Sequence, residues 1–218
     1  MKNIEDKNYC TIYLVRHGET EWNVLKKIQG HTDIELTEKG LAQAGHLAEK
    51  FKTNQLHAAF SSDLIRAKKT AEIIALQHKI AVKTTKVLRE RFLGRLEGKS
   101  WTGREPKIQK LWDKVATLTE AERKEHKLNR VENDKDVMRR FIPFIRGIAV
   151  GYAGKKVLIV THGGVMRLFF QHLGFLPQTM GSEKRYVRIS ITNTAFAKIQ
   201  SDGVDFFVKE TEGITIRS

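Results

Sequence analysis

Two unbroken apolar runs, Ile12–Val15 and Val157–Val160, stand out along a chain that is otherwise finely mixed. Each is short enough for a strand and has no polar alternation, the pattern of a strand covered on both faces. Thr37 followed by Leu41, Ala44, Ala48 and Phe51 on one face predicts an N-capped helix over about 38–51. Ala58-Ala59-Phe60 predicts a further strand. Ser61-Ser62-Asp63 then offers caps for a helix whose buried side is Leu64, Ala67, Ala71 and Ile74. Alternation over Ala81–Val87 predicts a third strand, and the glycines in 89–100 predict a structured loop. From Trp101 to about Asn133 the chain is polar and helix-prone, with Ile108, Leu111, Trp112 and Val115 as its apolar stripe. A helix is expected over about Asp134–Val150, with Pro143 kinking it or shifting its start. Another follows at Val165–Leu173. Thr194–Gln200 and Val204–Lys209 flank Ser201-Asp202-Gly203 as a hairpin.

Strands alternating with helices indicate α/β architecture: a three-layer α/β/α sandwich with a mostly parallel central sheet. Right-handed crossovers then bring the carboxyl ends of the parallel strands to one edge. At 218 residues, 1–218 reads as a single domain, with the segment at about 101–133 an excursion beside the site. Hydrophobic content of 40% and charged content of 29% suit a water-soluble core-forming protein. No apolar run nears the roughly 18 residues of a membrane span. MKNIEDKNYC lacks the apolar stretch of a secretory signal, and a lone Cys10 cannot form an internal disulfide, so a reducing cytoplasmic setting is expected. The net charge of +14 attracts anions in general. The lysines are scattered and not interleaved with aromatics, so nucleic acid is not the expected partner. The sequence carries no signal for an oligomeric state.

Candidate chemistry sits at three junctions where a strand hands over to a turn or helix: Arg16-His17-Gly18, Ser61 to Arg66, and Thr161-His162-Gly163. Arg16 and His17 are neighbours and point to opposite faces of a regular strand, so they converge only if the strand ends there. Gly18 is expected to permit that turn. Arg66 and His162 fall at helix N-termini, where a cation is disfavoured by about 0.3–1 kcal/mol unless an anion is bound between them. Taken singly, Arg66 reads as a surface arginine, His162 as a core histidine and Glu90 as a surface carboxylate. Their conjunction is what points to a site. No His/Cys/Asp spacing suggests a metal, and no cofactor is implied.

RHGETEWN, SSDLIRAKKTA, LRERFLGRLEG and VLIVTHGG, in this order, resemble the histidine phosphatase superfamily, also called phosphoglycerate mutase-like. The resemblance implies that His17 is the nucleophile that becomes phosphorylated. It implies that Arg16, Arg66 and His162 bind the phosphoryl oxygens, with Asn23 adding a neutral donor and Gly163 beside His162. Glu90 is implied as general acid and base, and Gln29 and Gly30 as residues lining the substrate entrance. A neutral imidazole attacking phosphorus splits one displacement into two, and fixed cations stabilise the equatorial oxygens. Glu90 then needs to hold a proton when a dianionic phosphate sits beside it.

Mutases of this family typically show Tyr three residues after the catalytic Glu, Asn after the second His-Gly, and paired arginines in the excursion. This chain has Leu93, Gly164 and only scattered basic residues at those places. The expectation is a metal-independent phosphatase acting on a small phosphorylated substrate, such as a sugar phosphate. A phosphoglycerate mutase is the alternative, and a basic binding protein without turnover is the reading from another class.

Overall fold

The computed structural model describes residues 8–100, 131–174 and 188–217. In chain order the elements are β1 (Cys10–Arg16), α1 (Glu21–Val24), α2 (Glu38–Phe51), β2 (Ala58–Ser62), α3 (Ile65–Leu76), β3 (Val82–Thr85), α4 (Asp134–Gly151), β4 (Lys156–Thr161), α5 (Gly163–His172), β5 (Arg188–Ser201) and β6 (Phe206–Arg217). The strands form one six-stranded sheet in the order β3-β2-β4-β1-β5-β6. The first four are mutually parallel, and β5 joins β1 antiparallel with β6 beyond it. Successive side chains of a strand face opposite ways. Ile12 and Leu14 therefore pack with Phe141, Ile145 and Phe169 of α4 and α5, while Tyr13 and Val15 pack with Phe51, Ala71 and Ile74 of α2 and α3. Both faces of the central strands are covered, which is why their sequences are apolar without alternation. The expected three-layer α/β/α sandwich is the observed fold.

Thr37 caps α2, its Oγ1 accepting from the Gly40 amide at 3.0 Å. The expected caps of α3 turn out otherwise. Ser61 and Ser62 are buried strand residues in register with Thr84 and Thr85, and Asp63 pairs with Arg89. The first amide of α3, on Ile65, instead donates to Asp33 Oδ1 at 2.7 Å, so the cap comes from a remote loop. The third strand is shorter than Ala81–Val87, because Thr85 caps a single turn over Lys86–Leu88 that buries Leu88. Pro143 lies inside α4 and does not shift its start. Asn133 fixes that start by accepting from the Asp136 amide, and Val137, Phe141 and Ile145 bury the face that continues past the proline. The hairpin strands are longer than the sequence pattern suggests, and Val204 lies in the turn, where Asp202 accepts from the Val204 and Asp205 amides. The excursion at 101–133, with its stripe Ile108, Leu111, Trp112 and Val115, lies outside the described residues apart from 131–133. Cys10 opens β1 fully buried opposite Ser201, and burial pushes its thiol up to about 11. No described helix is long and apolar enough to cross a membrane.

Candidate active site

The register Arg16↔Thr161 sets the carboxyl ends of β1 and β4 level, so the turns that follow them meet. His17 extends β1 by one rung, its amide donating to the Thr161 carbonyl at 3.1 Å. Its own carbonyl receives the Thr194 amide and Asn193 Nδ2, each at 3.2 Å. The ring is buried, with Nδ1 2.7 Å from the Gly18 carbonyl. A carbonyl can only accept, so the proton sits on Nδ1 and the lone pair on Nε2. Burial, then the charges of Arg66 and Arg16, hold this imidazole well below its ordinary pKa and keep it neutral. The His162 ring lies 5.1 Å away, centroid to centroid, fully buried at the N-cap of α5. It too is held well below the ordinary value, by burial first and then by Arg66, His17 and Arg16. Gly18 serves differently from expected: its φ is not positive. A Cβ there would stand 2.5 Å from the Gly40 carbonyl oxygen, so the glycine is required by the close passage of two backbones.

Arg66 is no surface residue. It is completely buried in the first turn of α3, with its terminal nitrogens donating to the carbonyls of Thr32 and Gly30, both at 2.8 Å. Arg16 donates through one terminal nitrogen to the Ile191 carbonyl at 2.5 Å. Burial lowers both guanidiniums to about 10, against the favourable charge of Glu90, and both remain cationic at neutral pH. Each is therefore anchored by part of its fork. The Nε atoms of Arg16 and Arg66 and both ring nitrogens of His162 are buried without a hydrogen-bond partner among the described residues. Buried polar nitrogens normally find partners, so four together are unusual.

Glu90 reaches the same place from the loop after β3. Its carboxylate accepts from the Arg91 amide and from the Gly164 amide, each at 2.8 Å. A Cβ on Gly163 would lie 3.2 Å from Arg16 Nε, and one on Gly164 would lie 2.3 Å from Glu90 Oε1. Consecutive Cα atoms are about 3.8 Å apart. Arg16 and Glu90 thus flank the N-terminus of α5, each pressed against a glycine that leaves it room.

His17, Arg16, Arg66, Glu90, Asn23, Gln29, Gly30 and Gly163 all line one cavity of about 290 Å³, and His162 touches the His17 ring beside it. Asn23 Oδ1 accepts from Thr20 and Asn193, so the amide group it has left to offer is Nδ2. The lining also mixes Leu93, Leu96 and Ile191 with Lys27 and Arg167. Three supporting residues escape sequence reasoning. Asn193 ties the His17 backbone to Asn23; Arg140 donates to the carbonyls of Val87, Arg89 and Glu90; His31 Nε2 donates to the Glu90 carbonyl at 2.7 Å. None has a local pattern. Among the described residues no three His, Cys, Asp or Glu side chains are grouped to hold a metal ion.

Residues 12–211 match the sequence pattern of the histidine phosphatase superfamily (branch 1). The chain belongs to that superfamily. It is 36% identical over 177 residues to phosphoglycerate mutase-like protein 4 of Arabidopsis thaliana, covering 77% of this chain and 72% of that protein. Among solved structures, this histidine phosphatase superfamily member resembles YhfR of Bacillus stearothermophilus, with a TM-score of 0.77 and 32% identity over 94% and 96% of the two chains. It also resembles a mutant phosphoserine phosphatase of Entamoeba histolytica in complex with phosphoserine, with a TM-score of 0.72 and 25% identity over 93% and 96%. Relatives of the superfamily thus carry both phosphatase and mutase names.

Proposed function

We propose that the chain is a metal-independent phosphomonoesterase acting on small phosphorylated metabolites through a phosphohistidine on His17. The observation that carries this reading is the set of buried, partnerless nitrogens of Arg16, Arg66 and His162 around a neutral His17 at the N-terminus of α5. Such a shell matches the three equatorial oxygens of a phosphoryl group. His17 Nε2 attacks phosphorus as the ester P–O bond breaks, and the Glu90 carboxyl passes its proton to the departing oxygen. Product alcohol leaves. The Glu90 carboxylate then takes a proton from water, whose oxygen attacks the phosphohistidine and releases inorganic phosphate and a neutral His17. Throughout, Arg16 and Arg66 hold the phosphoryl charge without moving, because carbonyls already fix part of each fork. The cavity size and its mixture of leucines with Lys27 and Arg167 favour a small polar leaving group such as a sugar.

The name of the Arabidopsis relative favours a second reading, phosphoglycerate mutase. One experiment separates the two. Phosphate release from aryl phosphate, sugar phosphates and phosphoglycerates is measured with EDTA present, beside a coupled isomerisation assay. EDTA-resistant release that disappears in His17→Ala supports the phosphatase; isomerisation without net release supports the mutase; neither activity overturns both.

A further inference from the structure

A carboxylate that the proposed reaction does not use links the two loops that shape the site. Glu97 Oε1 accepts from the amides of His31 and Leu93, both at 3.0 Å. Its Oε2 accepts from the Thr32 amide at 2.9 Å and the Thr32 hydroxyl at 2.7 Å. Burial acts to raise the pKa of this carboxyl, but the bonds from Thr32, His31 and Leu93 outweigh it and hold it below the ordinary value, ionised. Gly30, in the left-handed region at φ +54°, completes the arrangement, since a Cβ there would lie 2.2 Å from Glu97 Oε1.

The residues so gathered are the ones that aim the proposed chemistry. Gly30 and Thr32 provide the two carbonyls that grip Arg66, and His31 between them holds the Glu90 carbonyl. We propose that Glu97 is a positioning residue: its carboxylate clamps the 30–32 loop to the 93–97 loop and thereby sets the Arg66 fork and the Glu90 backbone together. The clamp rests on the phosphatase reading above only for what it serves; its geometry stands independently. A carboxylate suits the task because all four of its bonds are accepted from donors, and three of those donors are backbone amides that cannot accept in return. Gln at this position sets an NH2 group against at least one amide that can only donate, so the isosteric change breaks the clamp on one side.

The test compares wild type, Glu97→Gln, Glu97→Ala and Asp202→Ala. The last removes a comparable turn-stabilising carboxylate at the β5–β6 hairpin, away from the site. Turnover of an aryl phosphate and the dissociation constant of inorganic phosphate by calorimetry are measured beside thermal stability. We expect Glu97→Gln to weaken phosphate binding about tenfold and to lower kcat by about ten- to a hundredfold, as a displacement of ångström scale does. Glu97→Ala should lose more, while Asp202→Ala loses stability but keeps wild-type kcat and phosphate affinity. Wild-type kcat and phosphate affinity in both Glu97 variants overturn the proposal. So does a loss that Asp202→Ala reproduces at equal stability. Wild type that neither binds nor releases phosphate strikes the phosphatase reading itself, a separate failure visible before any variant is made.

Discussion

His17 and His162 at the strand ends, and Arg66 in the first turn of α3 with Glu90 on the loop after β3, gather at one cavity but are held in different ways. The histidines follow the fully buried Val15 and Val160, and the β1–β4 ladder sets their backbones rung by rung. Moving either means opening the centre of the sheet. The loops are held by polar links: Arg89 to Asp63 through two bonds of 2.7 Å, Arg140 to three carbonyls, and Arg66 to two. Such links loosen locally without global unfolding. The floor of the site therefore shares the stability of the domain, whereas its wall can be detuned while the domain stays folded.

The strongest way to separate wall from floor is Arg66→Lys. An ammonium cannot hold the Thr32 and Gly30 carbonyls and still present a planar donor to the cavity. kcat/KM for phosphate esters is expected to fall about 10²–10³-fold, with the circular dichroism spectrum unchanged. A fall under threefold breaks the comparison. Gly164→Ala comes next. The new Cβ meets the Glu90 carboxylate, so that side chain must leave its amide partner, and kcat is expected to fall about tenfold or more while phosphate affinity holds. Equal losses in both would mean that the phosphate-binding shell had moved as well.

The smallest effect concerns the floor and appears in stability. The buried His17 and His162 stay neutral in the folded chain, while in the unfolded chain they take up protons below about pH 6.5. Between that value and the folded pKa values the unfolded state binds more protons. Stability is thus fully present above about pH 6.5 and falls as pH drops, by up to about 1.4 kcal/mol per pH unit for each histidine. Urea unfolding between pH 7 and pH 5 should show this slope, and His162→Asn should flatten it. An identical slope in the variant refutes the assignment. His78, whose pKa burial also lowers, contributes equally to both proteins and cancels in the difference.

The same division explains what was legible in the sequence. The floor could be read because its cause is local: an apolar run closing on a histidine and a glycine, repeated at 15–18 and 160–163. Arg66 and Glu90 came with the family's motifs, although the burial of Arg66 follows from two carbonyls on a loop that no periodicity marks. His31 and Arg140 carry no such signal, because each acts on a main-chain carbonyl far away in sequence. Asn193 and Thr194 sit where β5 breaks register with β6, and Thr194 takes φ +57° there, a conformation β-branched residues avoid. Nothing in Ile-Thr-Asn-Thr predicts that irregularity. It arises because the segment serves His17 as well as its own ladder.

Cys10, the chain's single thiol, begins the strand that lies between β4 and β5. With its ionisation suppressed and its sulfur fully covered, it is chemically silent while that strand remains in place. It is consequently a built-in reporter of sheet opening. The rate at which a thiol reagent labels the intact protein counts the moments when β1 comes free, with no engineered probe and no reference to turnover.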